Sequence, residues 1–172
     1  SDLVLLRAVE LIAEVAYAVI AHPHDLTIKH KAFQAGLLCA LGLAQANQGI
    51  GGLLCYGINA KTTVAKASLA TVLLPHIIEY YSPVQADRMN RLAVAIGEQD
   101  RHLDGGDGAY KVETAVRRIL GKLNLPGRLR DLGLELESLL EIGESLTGHD
   151  MLQDSPIPIS AQDIHGIIKE SY

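Results

Sequence analysis

GLAQANQGIGGLLCYGINAKTTVAKASLATVLLPH, residues 42–76, is the stretch whose reading decides the fold. It is rich in Gly, Ala and Leu, and its only charges are Lys61 and Lys66. Gly49, Gly51 and Gly52 cluster between two apolar runs. Glycines placed so let backbones approach closely or let the chain turn with positive φ. The stretch closes on Leu73-Leu74-Pro75-His76, after which Ile77, Ile78 and Tyr80 keep a helical spacing.

Upstream, Asp2 to Ala21 reads as one helix. Arg7, Glu10 and Glu14 fall three and four residues apart and form a single polar stripe on it. The His22-Pro23-His24-Asp25 turn ends it, because proline cannot continue the hydrogen-bond ladder. A second helix runs from about Leu26 to Asn47, solvated at Lys29, Lys31 and Gln34. Its uninterrupted apolar run from Ala35 to Ala44 is expected to be buried on nearly all sides, against a helix over 64–80. That run is too short to span a bilayer, and Gln45, Asn47 and Gln48 interrupt the chain beyond it.

Downstream, Ser82-Pro83-Val84-Gln85 has the form of a capping box, with Met89, Leu92, Ala93 and Ile96 giving the helical period after it. Residues 98–108 read as a polar loop. No glutamate stands twelfth from Asp104, so it is no EF-hand. Helices are expected over 110–123, with Val112, Val116, Ile119 and Leu120 inward, over 136–146, and over 164–170 behind a Ser160–Asp163 cap. No run alternates with period two between hairpin turns. The pattern therefore predicts an all-α multi-helix bundle, a single helical domain over 1–172.

Composition sets the outer bounds. A chain of 172 residues, 48% apolar, can bury a sizeable core. Its net charge of −5 is mild and mixed, which excludes the basic footprint of a nucleic-acid binder. Cys39 and Cys55 lie in apolar runs without CxxC pairing, and are expected to be buried free thiols of a cytoplasmic protein.

The central stretch resembles the metal-binding core of the iron-type (group III) alcohol dehydrogenases, which reads G-x6-G-x2-H-A-x2-H-x-L-G, then P-H-G, then L-L-P-H. Gly42 and Gly49 keep the first spacing, and Leu73 to His76 keep the last motif. Leu125-Pro126 with Leu129-Arg130-Asp131-Leu132-Gly133 is similar to the family's L-P-x-x-L-R-D-x-G, and Ser155-Pro156-Ile157-Pro158 to its N-P-R-P. The likeness extends over all 172 residues. It implies the C-terminal helical half of a longer protein, the family's D-x-x-x-H motif and nucleotide-binding half lying before Ser1. It also implies NAD(P), bound mainly by that absent half, a small alcohol or aldehyde as substrate, and a possible homo-oligomer.

The family's metal histidines are replaced. The first falls on Gly52, its neighbour on Tyr56, and that of P-H-G on Lys66. Glycine offers no ligand atom and an ammonium repels a divalent ion, so no metal is expected there. Tyr56 and Lys66 are instead the candidate catalytic residues. They stand ten apart, a spacing that suits a helix, a turn and the next helix start. Reduction without a metal needs positive charge near the substrate oxygen and a proton donor, and lysine and tyrosine supply these. The alternative is a non-catalytic relative that uses the bundle for oligomerisation or partner binding.

Other polar groups read as ordinary surface. His22, His24, Asp25 and His30 crowd a helix-to-helix turn without an i,i+4 histidine pair on one helix face. His102, Asp104 and Asp107 belong to the polar loop, and His149 and His165 stand alone. Glu135, Glu137, Glu141 and Glu144 form a solvated face.

Overall fold

The structure, a computed structural model, describes residues 2–98 and 107–172. Readings placed on His102, Asp104 and the 99–106 part of the polar loop lie outside the described residues. Every regular element among the described residues is helical, so the all-α expectation holds. The elements group into two units, one of residues up to 46 with 85–123, the other of 47–84 with 124–172.

In the first unit α1 (Asp2–Val15) is followed by a short α2 (Ala18–Ala21). The sequence reads as one helix here. Instead Ala16 closes α1 on the Ile12 carbonyl, and the Tyr17 carbonyl restarts the ladder by accepting from Ile20 and Ala21. The third helix, α3 (Leu26–Leu43), starts at Asp25, whose carboxylate accepts the Thr27 and Ile28 amides at 2.8 and 3.2 Å. Such a cap satisfies two amides the helix itself cannot. α3 packs on α1, and Lys31 pairs with Glu14 across that contact. α6 (Ala86–Ile96) and α7 (Asp107–Lys122) complete the unit, with Met89, Ala93, Val112, Ala115 and Val116 buried.

Two expectations fail, the first of them in this unit. Ala35 and Gly42 are the buried residues of α3, and they face α1 through one narrow stripe of small residues. Leu37 and Leu41 are 51% and 52% exposed. A helix that is apolar all round is buried only as far as neighbours exist to cover it. The second failure is the capping box at Ser82. The Ser82 hydroxyl instead donates to the Glu79 carbonyl at 2.8 Å, closing the preceding helix. Val84 then bonds the Tyr81 carbonyl, and α6 begins only at Ala86. Proline's fixed φ suits a turn as well as a helix start, and here the turn prevails.

In the second unit α4 (Gly49–Lys61) opens on Gly49 at φ +57°, a conformation glycine adopts without strain. α5 (Lys66–Tyr81) packs on α4 and on α9 (Ala161–Ser171), while α8 (Leu136–Ser145) packs on both α4 and α9. Leu54 and Ile58 of α4, Leu69 and Leu73 of α5, Leu139 of α8, and Ile164 and Ile168 of α9 share one core. The L-R-D-x-G segment is a 3-10 turn, Leu129–Leu132, held where Asp131 accepts the Arg128 amide at 3.1 Å, with Leu129 fully buried. Cys55 is buried and Cys39 half-buried, and both are free thiols. Burial pushes the Cys55 thiol up, which keeps it protonated and inert.

The expected Ser160 cap is present. The Ser160 hydroxyl accepts the Asp163 amide at 3.2 Å, and the Asp163 carboxylate accepts the Ser160 amide at 2.7 Å. The Ser160 hydroxyl and amide, then the Tyr80 hydroxyl, hold the Asp163 carboxyl below its ordinary range. Burial and then the Asp163 charge push the Tyr80 phenol from 10.0 up to about 12. The two groups act on one another between α5 and the start of α9. A phenol raised on folding stabilises fully below its unfolded value, and loses that contribution as pH climbs from 10.0 to about 12. A carboxyl lowered on folding contributes above its unfolded value and loses this as pH falls. Denaturation midpoints measured from pH 9 to 12 are therefore expected to fall more steeply in wild type than in Tyr80→Phe. Equal slopes would remove Tyr80 from the account.

Candidate functional site

The positions that the resemblance sets against the family's histidines lie on α4 and α5. Gly52 is in the first turn of α4, Tyr56 one turn further on, and Lys66 is the first residue of α5. The intervening corner is fixed by local bonds. Asn59 donates to the Val64 carbonyl at 2.8 Å, and the Thr62 hydroxyl donates to the Ile58 carbonyl at 2.9 Å. The corner folds Lys66 back over α4, with its Nζ 4.7 Å from the centroid of the Tyr56 ring. An ammonium over a phenol face is worth about 0.5–1 kcal/mol at an exposed site, enough to bias a long side chain toward one position. Tyr56 is 42% exposed and Lys66 is exposed, so the pair presents a cation and a phenol to one open face.

The residues at these positions do not fit the family's metal. Gly52 carries no ligand, and a Cβ built there would lie 2.4 Å from Gln48 Cβ and 2.6 Å from Gln48 Oε1. Gln48 thus fills the space where the first histidine's side chain would begin. Lys66 brings a positive charge, and Tyr56 offers its ring face to that charge. The donor set that a divalent ion requires is missing from both helices at these positions.

Neither residue lines either of two cavities among the described residues. One of about 170 Å³ lies between α1 and α6, where Leu5, Leu6, Val9 and Leu92 meet Arg88 and Arg91. Another of about 580 Å³ runs along the end of α4 and α8. The remaining polar residues stand as their spacing suggests. His22, His24 and His30 are exposed, and so are Glu135, Glu137, Glu141 and Glu144. His149 caps a turn by accepting the Met151 amide at 3.2 Å, and His165 lies 3.2 Å from the Leu140 carbonyl.

The structure also assembles a group the sequence reading misses. His76 and Glu79 of α5 and Glu170 of α9 place one ligand atom each within 4.8 Å of one another. The three-residue interval from His76 to Glu79 puts both on one helix face, which is legible. Glu170 arrives from a helix far along the chain, and no local pattern announces it.

The all-helical arrangement is that of the C-terminal domain of the iron-type alcohol dehydrogenases. The chain belongs to the Fe-containing alcohol dehydrogenase family, whose C-terminal domain it matches over residues 1–172. It is 23% identical to the 1,3-propanediol dehydrogenase of Klebsiella pneumoniae over its whole length, covering 44% of that protein. It is 27% identical to the maleylacetate reductase of Pseudomonas knackmussii over 122 residues, 71% of this chain and 32% of that one. The crystal structure of a 1,3-propanediol oxidoreductase superposes on 97% of the chain with a TM-score of 0.92 at 23% identity, again over 44% of the larger molecule. The chain thus spans less than half the length of these relatives.

Proposed function

We propose that this domain forms the substrate side of an NAD(P)-dependent alcohol dehydrogenase or reductase that works without the family's metal, with Tyr56 and Lys66 as its catalytic residues. The observation that supports the reading is the Lys66 ammonium over the Tyr56 ring, at the positions that answer to family histidines. The nicotinamide, when bound, gives or takes the hydride at the substrate's carbon. In the reductive direction the carbonyl π pair moves to oxygen as the hydride adds. Lys66 stabilises the negative charge growing there, and the Tyr56 hydroxyl gives its proton to complete the alcohol. In oxidation the same groups run in reverse. The substrate is a small alcohol or aldehyde.

The test uses the full-length protein. Reduced nicotinamide nucleotide is expected to bind, detected by its fluorescence and by mass spectrometry of the intact complex. Lys66→Ala should lower aldehyde turnover by about 10²-fold while leaving the circular dichroism spectrum unchanged. Nucleotide binding with wild-type turnover in the variant would remove Lys66 from catalysis.

One observation favours a second reading, a partner-binding relative. Leu26, Phe33, Leu37 and Leu41 recur at seven, four and four residues along one exposed face of α3, Phe33 being 70% exposed. A stripe of that kind is the usual mark of an interface. Sedimentation of the wild-type protein and of Phe33→Asp tests this face: a dimer that dissociates in the variant while the full-length protein shows no turnover supports the second reading, and a wild-type monomer removes it.

A further inference from the structure

His76, Glu79 and Glu170 sit on two packed helices of one unit, away in sequence from the degenerate histidine positions. We infer that these three side chains form a divalent-cation site of the zinc type, which clamps α5 to α9. The inference is independent of the role given to Tyr56 and Lys66.

The donor set carries the argument. One imidazole nitrogen and two carboxylate oxygens converge within 4.8 Å. Two carboxylates cancel the charge of a divalent ion, and the mixed set suits zinc or manganese better than calcium or magnesium, which take oxygen ligands. Without a cation, two carboxylates that close repel one another. Their position against an imidazole is therefore one that cation binding improves.

Geometry agrees with the chemistry. His76 is only 9% exposed, so packing on α5 limits where its ring can point. Glu79 and Glu170 are exposed and can rotate inward. Zinc bonds of about 2.0–2.2 Å require ligand atoms roughly 3–3.5 Å apart, so the carboxylates need move in by about 1 Å or a little more. The remaining positions face solvent and take water. The third ligand comes from a different helix, so the ion crosslinks α5 and α9 and its binding free energy adds to folding.

Chelator-stripped protein is titrated with zinc chloride in a calorimeter, and thermal unfolding is followed with and without the ion. One equivalent is expected to bind and to raise the melting temperature. Glu170→Gln, an exposed substitution that leaves the buried imidazole in place, should weaken binding by more than about tenfold, since even loss of a ligand's outer hydrogen-bond partner costs that much. It should also abolish the melting shift. Cobalt substituted for zinc should show visible absorption in wild type that Glu170→Gln lacks. If wild type binds no zinc at millimolar concentration, the site does not exist. If Glu170→Gln binds zinc with unchanged affinity, the ion sits elsewhere, on the exposed His22, His24 and His30, and the inference falls. His76→Ala is not needed for the decision, because it disturbs a buried position.

Discussion

Tyr56→Phe should lower the turnover of the full-length protein by about 10²-fold or more, with little change in substrate affinity. Removing a general acid that acts only as the alcohol forms costs about that much. The substitution keeps the ring, and with it the face on which Lys66 rests 4.7 Å from the centroid. It deletes only the hydroxyl. A loss therefore reports on proton transfer and not on the position of the ammonium. Stopped-flow measurement of nucleotide oxidation under single-turnover conditions separates the chemical step from product release. Wild-type rates in Tyr56→Phe would leave the phenol as a platform for Lys66 and nothing more.

The second large effect concerns stability. Leu54→Ala or Leu73→Ala should cost roughly 2–5 kcal/mol. Both side chains are 0% exposed, and they share one core with Leu69, Leu139, Ile164 and Ile168. Their truncation leaves a cavity in a cluster fed by α4, α5, α8 and α9. Leu41→Ala on α3 is expected to stay within about 0.5 kcal/mol, as exposed substitutions do. Urea titrations of the three variants check this. A cost at Leu41 equal to that at Leu54 would mean that another surface covers α3 in solution.

That contrast shows how far the sequence could be read. Helix content followed from apolar spacing, and the Ser160–Asp163 cap from its residue types, because each depends on neighbours within a turn or two. Burial of 35–44 did not follow. An apolar run states what a helix could bury, while its neighbours decide what it does bury, and α3 meets α1 along the line of Ala35 and Gly42. The Ser82–Gln85 segment failed for a related reason. Its residue types serve a helix end and a helix start alike, and the bond from Ser82 back to Glu79 decides between them.

The candidate site divides in the same way. Gly52, Tyr56 and Lys66 could be named as candidates from the motif spacing of Gly42, Gly49 and Leu73 to His76, and the structure adds Gln48 in the space beside Gly52. The ring-to-ammonium contact needed the corner at Asn59 and Thr62, whose bonds are local but not announced by spacing. Glu170 beside His76 and Glu79 required the packing of α9 on α5.

The claim that catalysis proceeds without the family's metal is tested most directly by activity, since metal content alone would also count an ion held at His76. Aldehyde reduction by the full-length protein is to be measured after exhaustive chelation, then after adding back ferrous iron, zinc or manganese. The account predicts one turnover number throughout. Activity lost on chelation and restored by one of these ions, in wild type and in Glu170→Gln alike, would place a catalytic metal in the protein and contradict it.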